Sequence, residues 1–285
     1  MTGLSLYDHT ATSAASAVIR SYSTSFSLAT LLLGPRPRPH IRNVYALVRI
    51  ADEIVDGPAG EAGLDAAEQG LVLDALETET TDAVRRGFSA NLVVHAFART
   101  ARECGIGADL TAPFFASMRT DISTRIHDDA SHDAYVYGSA EVVGLMCLAV
   151  FQNAGAGRPT PPPERLVTGA RALGRAFQDV NFLRDLDHDA HALGRDYLAV
   201  DDRSRTRAGV LDRVDADLAR AASVIPALPA DCRRAVTAAH GLFAALSARL
   251  RDAAPARRRV RVPTVQKAAV AARAWLGAPP RGARA

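Results

Sequence analysis

Residues 171–198 read Arg-Ala-Leu-Gly-Arg-Ala-Phe-Gln-Asp-Val-Asn-Phe-Leu-Arg-Asp-Leu-Asp-His-Asp-Ala-His-Ala-Leu-Gly-Arg-Asp-Tyr-Leu, a stretch without proline that can end as a helix at Gly194. Its apolar residues spread around most of the helix, which predicts a largely buried element. Four polar side chains share an arc of roughly 80°: Gln178, Asn181, Asp185 and Asp189. Buried carboxylates are unfavourable unless a positive charge faces them, and Arg184 alone does not neutralise two of them. Oxygen ligands of this kind suit Mg²⁺ shared with substrate phosphates.

A second predicted helix, residues 39–58, carries another acidic stripe. Pro39 can open this helix, and Gly57-Pro58 can end it. An arc of roughly 60° contains Tyr45, Arg49, Asp52 and Asp56. The rest of the helix is almost entirely apolar. We therefore predict that the two stripes face each other across a cavity, with Mg²⁺ and an anion between them.

An Asp-x-x-x-Asp pair alone is a weak signal in a chain with 31 acidic residues. A third such pair, Asp129 and Asp133, lies in a polar run that we interpret as a solvated turn. The other two pairs differ in context, because they lie on apolar helices. The first also has Arg49 on its stripe, and the second has Asn181 one turn before it.

The sequence resembles the squalene/phytoene synthase family in four places. Residues 171–198 resemble the family's second aspartate motif, and residues 45–56 resemble the first. Residues 22–27, Tyr-Ser-Thr-Ser-Phe-Ser, resemble its Ser-Phe-Ser segment, and residues 135–146 resemble its Tyr-x-Tyr helix. The ordered matches cover most of residues 20–200 and are most similar to bacterial phytoene synthases. The resemblance implies an all-α, single-domain helical bundle around a central cavity, of the class I isoprenoid synthase type.

The resemblance also implies an activity, the head-to-head condensation of two prenyl diphosphates. The version it favours joins two geranylgeranyl diphosphates to give phytoene through a cyclopropyl diphosphate, a step of carotenoid biosynthesis. This reaction requires Mg²⁺, for which Mn²⁺ can substitute, and no NADPH. One alternative uses farnesyl diphosphate to make squalene, dehydrosqualene or presqualene diphosphate. A second alternative is a non-catalytic assembly factor of the same fold, but such a protein should have lost some of the four aspartates that this chain keeps. A third is a helical interaction protein without enzymatic activity.

The resemblance assigns site residues position by position. The metal ligands are Asp52, Asp56, Asn181, Asp185 and Asp189, and the four aspartates are the catalytic residues. The polar end of the substrate pocket comprises Ser23, Ser25, Tyr45, Arg49, Gln178, Arg184 and Arg259. The prenyl tails are assigned to Phe26, Tyr137 and Gly144, with Val143 and Leu148 as further apolar wall. Asp121 is given a supporting polar role in the cavity wall.

The predicted helix 134–154 departs from the family pattern at one position, where Glu141 replaces a glycine. On a regular helix one face would carry Tyr137, Glu141, Gly144 and Leu148. The resemblance directs this face to the prenyl tails, so we expect Gly144 to influence the accepted chain length. The alternative is that Gly144 serves helix–helix packing. Other predicted helical stretches are 10–33, 64–84, 86–104, 109–126, 208–226, 230–250 and 263–276.

Charge and apolar run length indicate where the protein works. The net charge is +3, but residues 251–285 hold nine Arg or Lys residues and one Asp. A basic tail can bind nucleic acid, a diphosphate or an anionic membrane surface. Together with the resemblance, this charge leads us to expect that the protein binds an anionic membrane surface peripherally and does not bind nucleic acid. Contact with other enzymes of isoprenoid biosynthesis is a further expectation. The uncharged runs 21–35 and 142–157 are shorter than the roughly 20 apolar residues that span a bilayer.

Compartment and domain organisation follow from the remaining composition. The three cysteines are far apart and odd in number, which favours a reducing cytosol over a disulfide framework. The N-terminus has neither a basic start nor an apolar core, so we expect no signal peptide. The expectation is a cytoplasmic, peripherally membrane-associated protein. It forms one domain over residues 1–285, with a basic, flexible tail at 277–285.

Overall fold

The computed structural model describes residues 2–123, 129–188, 206–252 and 260–280. In these ranges the chain forms helices and connecting turns, with no strand, which confirms the predicted all-α class. The described helices are α1 (Gly3–Tyr22), α2 (Thr24–Leu31), α3 (Arg38–Val55), α4 (Pro58–Glu61), α5 (Ala66–Arg86), α6 (Leu92–Cys104), α7 (Ala108–Ser123), α8 (Asp129–Val136), α9 (Val142–Asn153), α10 (Glu164–His188), α11 (Arg207–Val224), α12 (Ala230–Asp252) and α13 (Thr264–Trp275). A π-helical turn, Tyr137–Glu141, joins α8 to α9.

Local capping signals place several of the helix boundaries. Asp65 and Glu68 form a reciprocal capping box at the start of α5, and Gly87 ends that helix in the left-handed region at φ 82°. Helix α6 begins later than predicted, because the Asn91 side chain accepts hydrogen bonds from the N–H groups of Val93 and Val94. The predicted stop of α10 at Gly194 lies outside the described residues.

The N-terminal stretch forms two helices instead of the single predicted one. Ser23 breaks the helix with an extended backbone at φ −143°. Its Oγ accepts a hydrogen bond of 3.1 Å from the N–H of Phe26 and so caps α2. The break brings Ser23 and Phe26 together through a cap, rather than through the shared helical face that regular spacing predicts.

The interpretation of residues 128–133 as a turn is wrong for its second part. Residues from Asp129 onward form α8. Asp133 points outward, with 75% of its side chain exposed, which confirms that it is solvated. The neighbouring His132, Tyr135 and Val136 are buried, so the segment has an inner face that supports a helix.

The core consists of two large apolar clusters. The first is formed mainly by α3, α5, α6, α7 and α9, with Leu47, Phe97, Phe114 and Met146 among its buried members. The second includes buried side chains of α10, α11 and α12. Helix α10 packs along α11 and against the π-helical turn and α9. The acidic stripes of α3 and α10 therefore lie on helices that the core holds in place.

One helical stretch, Ser131–Asn153, is long and apolar enough to cross a membrane by length and composition alone. It is longer than the uncharged run considered in the sequence, since it includes Asp133 and Glu141. In its most apolar part, 56% of the residues are buried inside the protein. We interpret this stretch as a core element packed against α7 and α10.

Candidate active site

The acidic end of α3 forms the centre of the candidate site. Asp52 lies in the last turn of α3, and its carbonyl accepts a 2.8 Å hydrogen bond from the N–H of Asp56, the C-cap residue. Burial is the main cause that raises the pKa of Asp52 well above the usual aspartate range. The negative charge of Asp56 raises this pKa further, and that of Asp121 adds to it, while Arg49 acts against them. Three carboxylates from α3 and α7 therefore influence one another in this region.

Asp121 is held in place by more hydrogen bonds than the sequence alone indicated. It is buried, and the Tyr135 hydroxyl donates a 2.8 Å hydrogen bond to its Oδ2. Ser117 in turn donates to the Tyr135 carbonyl at 3.1 Å. These bonds tie α7 to α8 and fix the Asp121 carboxylate beside the acidic end of α3. Tyr135 belongs to the Tyr-x-Tyr segment, but no residue pattern favoured it over Tyr137.

Helix α10 contributes Asp185 to the described part of the second motif. Arg184 donates to both carboxylate oxygens of Asp185, from Nε at 3.0 and 3.2 Å and from Nη2 at 2.5 Å. The arginine assigned to diphosphate thus balances the charge of its neighbour in this structure. Asn181 lies one turn earlier and Gln178 two turns earlier, and both are partly buried. Asp189, Arg259 and the side chain of Ser25 lie outside what the structure describes.

The donor atoms agree with Mg²⁺ in chemistry, although the described ligand set is partial. Within the described ranges, no three His, Cys, Asp or Glu side chains meet closely enough to hold a metal ion. All the predicted donors are carboxylate or amide oxygens, which is what Mg²⁺ prefers. A divalent cation would also relieve the repulsion that Asp56 and Asp121 impose on Asp52. The residues therefore fit Mg²⁺.

Next to the acidic end, α2 and α3 provide a polar group with an arginine. Tyr45 is partly buried, and this burial raises its pKa, while Arg49 and a hydrogen bond with Ser23 lower it. The Arg49 guanidinium lies over the Tyr22 ring, 4.6 Å from its centroid, and forms an ion pair with Glu53. The structure thus brings Ser23, Tyr45 and Arg49 together, as predicted.

An aromatic cluster extends the site away from the carboxylates. Phe177 of α10 stacks on Phe243 of α12 with ring centroids 3.7 Å apart. Phe26 lies 6.1 to 6.4 Å from Tyr45, Phe177 and Phe243, and it remains 36% exposed. Four helices therefore converge on one apolar surface. Sequence reasoning missed Phe177 and Phe243; the only available signal for Phe177 was its position next to Gln178.

The predicted tunnel face on helix 134–154 requires correction. The π-helical turn interrupts the regular spacing, so Tyr137 does not continue the face of α9. Gly144 lies against α10: a Cβ at this position would come within 2.7 Å of the Ala170 carbonyl oxygen. Leu148 packs in an apolar cluster with Leu166 and Ile225. The structure thus places Gly144 in helix–helix packing, the alternative that the sequence left open.

Glu141, the departure from the family pattern, is an ion-pair centre. Its carboxylate is buried and accepts hydrogen bonds from the Nε atoms of Arg171 at 2.6 Å and Arg175 at 2.8 Å. The Arg171 guanidinium also lies 5.3 Å from the centroid of the Tyr137 ring. Two arginines four residues apart on α10 were the sequence signal for this contact. Glu141 and Tyr137 therefore link the π-helical turn to α10.

The helical fold and the two acidic helices define a protein of the class I isoprenoid synthase type. The family model for squalene/phytoene synthase matches residues 19–209, and the chain belongs to this family. The match covers the Ser-Phe-Ser segment, both aspartate motifs and the π-helical turn. It confirms the resemblance seen in the sequence.

Relatives of known name show how far the similarity extends. Phytoene synthase 3 of Zea mays is 33% identical over 186 residues, which is 65% of this chain and 42% of the maize protein. Phytoene synthase of Arthrospira platensis is 31% identical over 197 residues, 65% of this chain and 60% of that protein. The matches thus span less than two thirds of either relative. A solved dehydrosqualene synthase has the same fold, with a TM-score of 0.75, 20% identity and coverage of 94% and 96%.

Proposed function

We propose that this protein condenses two prenyl diphosphates head to head in a Mg²⁺-dependent reaction. The observation that carries the proposal is the group of carboxylates around the partly buried Asp52, whose pKa is raised by desolvation and by the nearby carboxylates Asp56 and Asp121. Arg49 and Tyr45 lie beside these carboxylates, and an aromatic surface begins at Phe26. This arrangement suits a substrate with two different ends: an anionic head group, which a cation would bridge to the carboxylates, and an apolar tail, which would lie on the aromatic surface.

The residues divide the work between the two ends of the substrate. Asp52, Asp56, Asn181, Asp185 and Asp189 would hold Mg²⁺, which supplies positive charge where negative charge develops on the departing diphosphate. Arg49 lies one turn before Asp52 and would orient the diphosphate. Arg184 would exchange its contact with Asp185 for a contact with diphosphate once a cation balances that carboxylate. Gln178, Ser23, Ser25 and Arg259 would complete the polar end.

The aromatic cluster would serve the apolar end of the substrate. Phe26, Phe177 and Phe243 form an aromatic surface, and a carbocation formed against it would be shielded from water. The negative faces of the rings also favour a nearby cation. This surface is therefore where the first carbon–carbon bond would form after diphosphate leaves.

The substrate we propose is geranylgeranyl diphosphate, with phytoene as the product, no NADPH, and Mn²⁺ as a substitute for Mg²⁺. Support comes from relatives named phytoene synthase at 31% and 33% identity. The farnesyl alternative stays open, because a dehydrosqualene synthase has the same fold. A non-catalytic role is disfavoured, since the sequence keeps all four motif aspartates.

Incubation of the purified protein with each prenyl diphosphate and Mg²⁺, with and without NADPH, tests the proposal directly. Product identification should give phytoene from the geranylgeranyl substrate, independent of NADPH. Chelation should abolish product, as should Asp52→Ala or Asp185→Ala. Asp133→Ala is the matched control, because Asp133 is an exposed aspartate whose loss should leave turnover unchanged. Turnover that persists under chelation, or equal loss in the control, would contradict the proposed metal site.

A further inference from the structure

The C-terminal helix α13 has an outward face composed entirely of apolar residues. At about 100° per residue, the members of this face fall within roughly 120°. They are Val265, Ala268, Ala269, Ala272, Trp275 and Leu276, and all six are exposed. The three large side chains are 82%, 60% and 74% exposed for Val265, Trp275 and Leu276, respectively. We call this surface the outward face of α13.

The opposite side of α13 is already used for packing within the protein. Ala274 is buried and Val270 is partly buried. Val270 approaches α12 so closely that a Cβ on Gly241 would come within 2.9 Å of its Cγ1. A helix that is apolar on both its packed side and its outward side is not typical of a solvent-exposed element. The outward face is therefore suited to a partner.

The charge around α13 identifies the kind of partner. Arg261 precedes the helix and Arg273 lies beside the outward face, and both are exposed. In the sequence, residues 251–285 contain nine Arg or Lys residues and only one Asp. A second copy of this chain would bring the same positive charge to a two-fold contact, which disfavours dimerisation through this face. The flanking segments 253–259 and 281–285 contain no large apolar residue that could cover it.

We propose that α13 is an interfacial helix that docks the protein on an anionic lipid bilayer through its outward face. Leu276 and Val265 would enter the acyl boundary, Trp275 would lie at the headgroup level, and the neighbouring arginines would face the anionic headgroups. Neither apolar insertion nor basic charge alone gives stable attachment, and this end of the chain offers both. The inference concerns binding to lipid and does not depend on the proposed reaction.

Trp275 is the only tryptophan of the chain, so its fluorescence reports on this helix alone. The experiment adds vesicles of phosphatidylcholine, with or without phosphatidylglycerol, to the full-length protein in the absence of substrate. We expect a blue shift of the emission and quenching by brominated acyl chains with the phosphatidylglycerol vesicles, weakened by salt. Emission that does not change with anionic vesicles at low salt would overturn the proposal.

Two variants distinguish lipid binding through the outward face of α13 from nonspecific association of the protein with vesicles. Leu276→Ser keeps the fluorescent probe and should weaken partitioning about tenfold, because one inserted leucine contributes at least that factor. Leu71→Ser on α5 is the matched control: Leu71 is 69% exposed, and its loss should leave vesicle binding unchanged. Melting temperatures of both variants should match the parent, since both side chains are exposed.

Two further results would contradict the proposal. Equal binding by Leu276→Ser and the parent would remove the outward face from the lipid contact. A blue shift that grows with protein concentration without vesicles, together with a dimer in sedimentation, would assign the face to a second copy instead. Loss of turnover with intact vesicle binding would count against the proposed reaction only, so the two failures are distinguishable.

Discussion

Replacing Gly144 with alanine should destabilise the protein and lower turnover of both prenyl substrates together. The added Cβ would stand 2.7 Å from the Ala170 carbonyl oxygen and 3.4 Å from its carbon. A real Cβ essentially never lies within 3.0 Å of a heavy atom from another part of the chain. The atom it would meet here belongs to the helix backbone, which cannot rotate away as a side chain could. Helices α9 and α10 must therefore separate, which costs about 1–3 kcal/mol, as overpacking of a core does.

The melting temperature provides the first measurement. A loss of about 1–3 kcal/mol corresponds to a decrease of about 2–5 °C for a chain of this size. The matched control is Gly70→Ala in α5, where a Cβ would meet no atom within 4 Å. That change should raise the melting temperature slightly, because alanine is favoured over glycine inside a helix by about 0.5–1 kcal/mol.

The second measurement is the ratio of turnover with geranylgeranyl and farnesyl diphosphates. If Gly144 serves packing, the ratio stays constant while both rates decrease with stability. A Gly144→Ala variant that keeps its melting temperature but loses only geranylgeranyl turnover would refute this reasoning. Such a result would return Gly144 to the tunnel wall that the sequence indicated.

Three further predictions concern other parts of the site. Without Mg²⁺, Asp52→Asn should raise the melting temperature at neutral pH, because the raised folded-state pKa of Asp52 means that its charged form destabilises the fold. This advantage of the variant should shrink as the pH falls towards the ordinary pKa of aspartate, where Asp52 is protonated in both states. A difference in melting temperature that does not change with pH would contradict this prediction. Glu141→Gln should reduce the free energy of unfolding by about 1–3 kcal/mol in denaturant titrations. This loss is smaller than that for breaking a fully buried ion pair, because Arg171 and Arg175 stay partly exposed. An unchanged denaturation midpoint would contradict the pairing. Phe243→Ala should lower turnover of both substrates more than it raises KM, whereas an unchanged rate would remove Phe243 from the substrate surface.

Local sequence signals were sufficient for much of the helical framework. The boundaries of α3, α11, α12 and α13 agree with the predicted segments to within a few residues. Pro39 lies in the first turn of α3, as its fixed backbone angle and missing N–H predict. The acidic stripe of α3 could also be read from the sequence, because helical periodicity alone places Tyr45, Arg49 and Asp52 on one side.

Features that depend on contacts between distant segments could not be predicted in this way. Periodicity assumes a regular helix, so it gave no sign of the π-helical turn that ends at Glu141. The pairing of Glu141 with Arg171 and the stacking of Phe177 on Phe243 depend on how α10 packs against its neighbours. Gly144 illustrates the limit: a glycine on a helix face permits close approach, but the sequence does not say whether helix or ligand approaches.

The charges of the described helices also show why some carboxylates are structural while others remain suited to binding. Buried Asp179 on α10 accepts two hydrogen bonds from Arg213, at 2.9 and 3.1 Å, and Glu141 is held by two arginines. Asp52 has a different environment, because its neighbours Asp56 and Asp121 carry the same charge, and its counter-charge, Arg49, is shared with Glu53. Repulsion of this kind is typical of functional sites, where function opposes stability. A bound cation would convert the repulsion into ligation, which supports the proposal that Asp52, rather than the fully buried Asp179, belongs to the metal-binding end of the site.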